Sequence, residues 1–210
     1  METRQILLKS SYTGVEETIE IGVDEAGRGA LAGPVTVAAC IMPFGFQHEL
    51  VKDSKLLNEQ QRKDARKIVL ENAIAYSIVH IYPNQIESTN ILRATLQGMN
   101  QCLDNVKKTQ KFDFILIDGD QFHGFEGIPF ETIIGGDNKY VSIAAASILA
   151  KTERDALMKE LDIKLPGYGW NSNKGYGTAS HIQAIKQLGA NEAHRPSFIS
   201  HLLTSTGSLF

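Results

Sequence analysis

The sequence predicts one α/β domain built on a mixed sheet, and three observations carry that prediction. Segments of strand and helix character follow one another as β-β-α-β-α-β-(β)-α-α along 210 residues, with no internal repeat, low-complexity stretch or linker. The first two strands are joined by a short glycine-rich segment, which favours antiparallel pairing, whereas helical stretches separate the later ones. Acidic residues stand where strands end, the place at which sites collect in α/β sheets. The length fits one large domain, and a chain of 23.1 kDa buries about 70% of its unfolded surface, enough for a core without disulfide staples.

Each element has a local cause. Residues 18–23 alternate and are β-branched, giving a strand that ends at Asp24. Residues 34–41, Pro-Val-Thr-Val-Ala-Ala-Cys-Ile, form the second strand. Asn58 is placed to cap a helix running to about residue 72. Residues 73–82 read as a strand stopped by Pro83, and 88–106 as a helix with Ile91, Leu92, Met99, Cys102, Leu103 and Val106 on one stripe. Residues 112–117 form a strand that runs into Asp118-Gly119-Asp120. A long helix follows over 139–161, where Ala144-Ala145-Ala146 permits close packing. After a loop over 166–177 rich in Gly, Tyr and Asn, a last helix from about 179 to 187 stops at Gly189.

Composition narrows the function. With 42% hydrophobic and 21% charged residues and 6 prolines, the chain is neither disordered nor collagen-like. No apolar run approaches the ~20 residues that span a bilayer, and the N-terminus lacks the apolar stretch of a secretory leader. A cytoplasmic location is therefore expected, with Cys40 and Cys102 as buried thiols rather than a disulfide framework. The 21 Lys and Arg against 24 Asp and Glu give −3, which excludes a uniformly basic nucleic-acid binder. Acid and base are nevertheless segregated: residues 1–137 carry a net −6, residues 138–210 a net +3.

Asp24 and Glu25 end the first strand, Asp118 ends the strand over 112–117, and Asp137 follows Gly135-Gly136 ahead of the long helix. If those strands are neighbours the four carboxylates converge, and like charges in a half-dry cleft repel. Hard cations relieve that repulsion, and Mg²⁺ or Mn²⁺ prefers such oxygens. A lone Asp at a strand end is ordinarily a turn or cap residue; four such acids beside glycine or one another weaken that reading. Asp120 lies beyond the strand and ranks below Asp118. The segment 27–33, Gly-Arg-Gly-Ala-Leu-Ala-Gly, is no dinucleotide turn, because it leads into Pro34 and a strand instead of a helix. Gly27 and Gly29 let backbone approach a ligand closely, and Arg28 adds a cation.

Taken together, these motifs resemble bacterial ribonuclease HII, a type 2 ribonuclease H. The resemblance rests on residues 22–29, Gly-Val-Asp-Glu-Ala-Gly-Arg-Gly, with 31–35, Leu-Ala-Gly-Pro-Val, and 53–56, Asp-Ser-Lys-Leu. It continues through 115–119, Gly136-Asp137, the run 142–151 with Arg154-Asp155, residues 173–178, His181, and His194-Arg195-Pro196-Ser197-Phe198. It implies a ribonuclease H-like fold, with a mixed five-stranded sheet flanked by helices and a helical C-terminal part, the catalytic domain occupying 18–198 between a lead of 1–17 and a tail of 199–210. It implies metal-dependent endonucleolytic cleavage of RNA paired with or joined to DNA, including a single ribonucleotide embedded in duplex DNA. The cut would fall on the 5′ side and leave 5′-phosphate and 3′-hydroxyl ends, in the service of ribonucleotide removal.

Carried over position by position, the resemblance makes Asp24, Glu25, Asp118 and Asp137 the catalytic acids and metal ligands of a two-ion site taking Mg²⁺ or Mn²⁺. Gly27, Arg28 and Gly29 become the loop that senses the ribose 2′-hydroxyl, Tyr176 the ring that stacks on the adjacent deoxyribose, and Lys55 and Lys174 phosphate contacts. Each has a plainer reading: an isolated tyrosine packs, and lysines are solvated. His181, read as a helix-surface residue, and His194 with Arg195, read as a C-terminal clamp, are expected to be structural. Trp170 alone does not make an extended stacking platform with Tyr176.

A ribonuclease HIII reading would need a sizeable extra N-terminal domain, and about 18 residues precede the first strand. A same-fold nuclease for DNA junctions would not need the ribose-sensing loop, and a silent nucleic-acid-binding member would have lost an acid. The terminal Ser208-Leu209-Phe210 resembles the end of sliding-clamp-binding peptides without their leading glutamine, against the commoner case of an apolar tail packing on its own domain. A monomer is expected, since no large apolar face is evident.

Overall fold

A computed structural model of the chain describes residues 7–204. Its sheet has five strands, β1 Glu20–Ala26, β2 Val35–Ile41, β3 Ala75–Ile81, β4 Phe114–Asp118 and β5 Phe130–Ile133, in the order β3-β2-β1-β4-β5. The short link after β1 makes β1 and β2 antiparallel, and β3 continues that half. β4 pairs parallel to β1 and β5 parallel to β4, so the sheet is mixed as expected. Seven helices accompany it among the described residues: α1 Glu59–Asn72, α2 Pro83–Ser88, α3 Ile91–Lys107, α4 Val141–Lys164, α5 Trp170–Asn173, α6 Ala179–Leu188 and α7 Pro196–Thr204.

Strand alternation sorts the core into two layers. Ile21, Val23, Val37, Ala39, Ile115 and Ile117 face α3, which supplies Met99, Cys102, Leu103 and Val106 from the predicted stripe. Ala38 and Cys40 face the other way, against Ala65 and Val69 of α1 and the alanine run of α4. Small residues on both sides bring α4 unusually near the sheet. A Cβ on Gly22 would stand 2.2 Å from the backbone carbon of Ser142, so only glycine fits under the helix there. A third cluster, with Met158, Tyr168, Trp170, Ile185 and Ile199, builds the helical C-terminal part.

Several boundaries differ from the sequence expectation. β1 does not stop at Asp24, because β2 keeps pairing with it through Asp24–Ala38, Glu25–Val37 and Ala26–Thr36. Pro83 ends β3 but opens α2, where a missing N–H costs nothing at the first helical position. Asn90 then caps α3 separately through Arg93 N. The tail expected from residue 199 begins inside α7, where Ile199 is buried. The lead is tied down as well: Glu20 accepts from Tyr12 N, Thr13 N and the hydroxyls of Ser11 and Thr13 at 2.7 to 3.1 Å. Both cysteines are buried and unpaired. No helix among the described residues is long and apolar enough to cross a membrane. Residues 205–210, with the clamp-like Ser208-Leu209-Phe210, lie outside the described residues.

Candidate active site

Parallel pairing of β1 with β4 creates the site. Their register ends at Val23–Ile117, so the next residues, Asp24 and Asp118, emerge side by side at the carboxyl end of the sheet. Gly135-Gly136 turns the chain back after β5, and the one-turn 3₁₀ segment Gly136–Asn138 delivers Asp137. Gly136 N donates to Oδ1 of Asp118 at 2.7 Å, which locks those two acids' segments together.

The acids are buried to different degrees and held by different partners. Asp24 is 5% exposed and Asp137 2%. Oδ1 of Asp24 accepts from Glu25 N at 2.7 Å, and the Ser147 hydroxyl on α4 favours its charged form. Ser147 is itself 3.1 Å from the hydroxyl of Ser54. Burial, then the charges of Glu25 and Asp118, push the Asp24 carboxyl well above the usual range. Burial also raises Glu25, against the pull of Arg28, whose Nη1 lies 3.3 Å from Oε1. Burial and Asp118 raise Asp137, opposed by Lys55, with Nζ at 3.4 Å from Oδ2. For Lys55, burial is outweighed by the attraction of Asp137, Asp53 and Asp24, so its pKa rises.

A cleft of about 350 Å³ opens over these groups, lined by Asp24, Glu25, Ala26, Ser54, Lys55, Asp118, Ser147, Lys151 and Tyr176. Tyr176 reaches it from the loop after α5, with its ring 5.2 Å from the Arg154 guanidinium. The cleft thus gathers six of the residues predicted from sequence: three of the acids and Lys55 and Tyr176 on its wall, with Asp137 under Lys55. Gly27, Arg28 and Gly29 follow β1 at its rim, and Gly29 faces open space. Lys174 does not join them. It lines a separate groove with Glu59, Arg62, Lys63, Asp155 and Lys159, its ammonium turned onto the Asn171 carbonyl. Its left-handed backbone, φ +50, closes α5.

Four groups near the site are not singled out by sequence. Ser147 and Lys151 sit one turn apart on α4 and so share the face that looks into the cleft. Asp53 caps the turn that carries Lys55 and also accepts from Asn138 at 3.2 Å, bracing the segment of Asp137. Arg154 stands in the sequence only as part of a motif. Its spacing of seven from Ser147 is a usable signal, since i and i+7 share a helix face. One expectation is corrected in kind. His181 is not on a helix surface but fully buried, accepting from Trp170 Nε1 at 2.9 Å and lying 3.0 Å by Nδ1 from the Tyr176 carbonyl. Trp170 is buried too and stacks on Tyr168 at 5.0 Å, so it is closed off from any base.

The donor set fits divalent cations by its chemistry. Carboxylates whose protonation is favoured by burial and mutual repulsion are the groups that a hard cation would stabilise in their charged form. Among the described residues no group of three or more acidic, histidine or cysteine side chains is placed to hold a metal ion; Asp24, Glu25 and Asp118 line the cleft without closing on a common centre.

The model of the family described as Ribonuclease HII matches residues 21–201. The chain belongs to the ribonuclease HII family. Ribonuclease HII of Christiangramia forsetii is 46% identical over 177 residues, covering 84% of this chain and 88% of that protein. Ribonuclease HII of Porphyromonas gingivalis is 46% identical over 192 residues, 91% and 94% of the two chains. Membership makes the chain an endoribonuclease of the ribonuclease H type, a hydrolase. Among solved structures, ribonuclease H2 of Pyrococcus horikoshii superposes with a TM-score of 0.76 at 22% identity, over 90% of this chain and 99% of that one. Bst-RNase HIII in complex with Mn²⁺ superposes at 0.69 with 19% identity, over 91% and 71%, and RNase HII of Archaeoglobus fulgidus, in its complex with PCNA, at 0.68 with 21%, over 84% and 93%. These likenesses establish the ribonuclease H-like fold of the chain.

Proposed function

We propose that this member of the family cleaves the RNA strand of RNA–DNA hybrids and single ribonucleotides embedded in duplex DNA, 5′ of the ribonucleotide, leaving 5′-phosphate and 3′-hydroxyl ends. The observation that carries the reading is the shared cleft. The acids at the ends of β1 and β4 open onto the same space as Tyr176, and Arg28 of the next loop is joined to Glu25 on its wall.

Asp24, Glu25, Asp118 and Asp137 would hold two Mg²⁺ or Mn²⁺ ions; a Mn²⁺ complex of an HIII relative of the same fold supports a divalent metal. Ions of this kind supply an activated water and charge stabilisation for the departing 3′-oxygen. The protein's own residues do the rest. Ser147 and the backbone N–H groups of Glu25 and Gly136 orient the carboxylates, and Lys55 and Lys151 add positive charge for the phosphate backbone. The loop 27–29 reads the ribose 2′-hydroxyl, and Tyr176 packs on the neighbouring deoxyribose, which together place the cut at an RNA-to-DNA junction. Lys174, outside the cleft, would meet a phosphate further along the duplex. The enzyme acts as a monomer in the cytoplasm, in ribonucleotide removal.

A duplex with one ribonucleotide and its all-DNA counterpart, each with and without Mg²⁺ or Mn²⁺, test the reading. Cleavage only of the ribonucleotide duplex and only with metal is expected; efficient cutting of the all-DNA duplex would overturn it. Clamp binding by the tail rests on Ser208-Leu209-Phe210 and on the PCNA complex of the Archaeoglobus protein. Deleting residues 206–210 should abolish capture by a bacterial clamp.

A further inference from the structure

Two arginines lie wholly inside the protein at 0% exposure, and among the described residues neither forms an ion pair with a carboxylate. A buried guanidinium without a counter-ion is costly. Both direct every hydrogen bond at backbone carbonyls, most of them in residues 27–34, while their planes lie over the rings of Tyr176 and Phe198. Arg154 donates to Pro34, Lys174 and Ala32 at 2.9, 2.9 and 3.1 Å. Arg195, just ahead of α7, donates from Nη1 to the Arg28 carbonyl at 2.9 Å. Its Nη2 reaches the carbonyls of Gly27 at 2.9 Å and Gly33 at 2.8 Å, and its Nε reaches Gly33 at 3.0 Å.

Peptide geometry turns the Arg195 contacts into a statement about the loop's outer side. No peptide among the described residues is cis, and in a planar trans unit the C=O and N–H point in opposite directions. With the carbonyls of Gly27 and Arg28 pulled inward, the N–H groups of the same two units, those of Arg28 and Gly29, must point outward. Neither meets an acceptor among the described residues, and the space beside Gly29 is open. Two successive outward N–H groups form a small concavity for an oxygen atom. A cation on each carbonyl also polarises the peptide, which strengthens its N–H as a donor.

Holding the loop does not by itself need a cation. Leu31 N donates to Gly175 O at 2.8 Å, Gly33 N to Ala193 O at 2.8 Å, and Arg195 N to Leu31 O at 2.9 Å, so the loop is already fastened on its far side. What the guanidinium adds is charge and a fork that fixes two adjacent peptide planes at once. We infer that Arg195 is a positioning residue for ribose recognition, acting through the Gly27 and Arg28 carbonyls to present the Arg28 and Gly29 N–H groups to the 2′-hydroxyl oxygen. This rests on the reading of residues 27–29 as the ribose-sensing loop.

The test uses Arg195→Lys, which keeps the charge and loses the fork, in an Asp118→Asn background that leaves duplex uncut. Affinity is measured for two duplexes of one sequence that differ at a single sugar, ribose or 2′-deoxyribose. Arg195→Lys should weaken the ribose duplex about tenfold and the deoxyribose duplex less than twofold. Equal loss for both sugars, or an unchanged ratio, overturns the inference. Should Arg195→Lys fail to fold, amide proton shifts in the Asp118→Asn protein decide: those of Arg28 and Gly29 should move with the ribose duplex and not with the deoxyribose one, and identical shifts overturn it. If that parent protein binds both sugars alike, the ribose-sensing reading itself has failed, an outcome distinct from a preference that the Arg195 variant keeps.

Discussion

Lys55 Nζ and Asp137 Oδ2 stand 3.4 Å apart, an exposed ammonium laid over a carboxylate that is 2% exposed. The pair joins the loop before α1 to the turn before α4, and the Asp53–Asn138 hydrogen bond runs alongside it. Lys55, proposed above as a phosphate contact, is therefore the local counter-charge of an acid whose ionisation burial and Asp118 oppose. Replacing Lys55 with Met should move the acid limb of the kcat/KM profile to higher pH, because Asp137 then gains protons more readily, and should raise KM more than it lowers kcat. An unshifted acid limb would separate Lys55 from Asp137.

The raised carboxyls also set a stability trend. Groups that bind protons more tightly when folded favour the folded state as pH falls, so stability lost above the raised pKa values returns on descent toward the ordinary values of 3.8 and 4.5. Without divalent ions, Asp24→Asn should therefore raise Tm at pH 7.5. Each 1 kcal/mol gained would appear as roughly 2 to 4 °C in a domain of this size. His194 works in the opposite sense: burial, then His181, holds it down to about 4, so its contribution is intact above 6.5 and is lost between 6.5 and about 4. The Asp24→Asn gain over the unsubstituted protein should shrink as pH falls from 7.5 to 5, and a gain independent of pH would refute the assignment.

Asp118→Asn should abolish turnover, by about a thousandfold or more, while duplex affinity falls only modestly. Single-turnover assays with Mg²⁺ and gel-shift titrations read the two quantities, and retained cleavage would remove Asp118 from the catalytic set.

On the proposed function, Tyr176 offers its ring and not its hydroxyl to the neighbouring sugar. Tyr176→Phe should therefore keep cleavage at a junction within about twofold, whereas Tyr176→Ala should lower kcat/KM by about tenfold or more, in line with ~1 to 3 kcal/mol per stacked contact. A loss as large with Phe would point to the hydroxyl instead.

Glu20 gathers five hydrogen bonds from residues 11–13. Glu20→Ala leaves those donors unpaired and should cost about 2 to 4 kcal/mol of unfolding free energy with ribose selectivity unchanged, checked by urea unfolding.

What sequence makes legible follows the physics of each residue. Periodicity locates the strands and the α3 stripe, because those signals are local. Asp24 and Asp118 can be nominated as strand-end acids, but their adjacency depends on β1 pairing with a strand some 90 positions later, which no local pattern encodes. The end of β1 escapes propensity because a partner strand carries the pairing on through Glu25. Motif gives Lys174 a phosphate contact but not its place, which is a groove separate from the acids. Arg154, His181 and Arg195 read as outer or accessory residues because charged and polar side chains are ordinarily solvated. Their burial becomes visible only once the carbonyls of residues 27–34 and the ring of Trp170 are in place.

The approach of α4 to Gly22 reaches beyond packing. The helix rests directly on β1, and along it stand Ser147 beside the acids, Lys151 in the cleft, Arg154 beneath the tyrosine and Met158 in the C-terminal cluster. At 1.5 Å per residue, Ser147 and Arg154 are about 10 Å apart along the axis. The helix is thus a gauge rod, its zero mark fixed by a missing methyl group, that sets the distance from the acids to the tyrosine. One residue inserted between the two would turn the far half by about 100°, leaving the two ends of the cleft out of register.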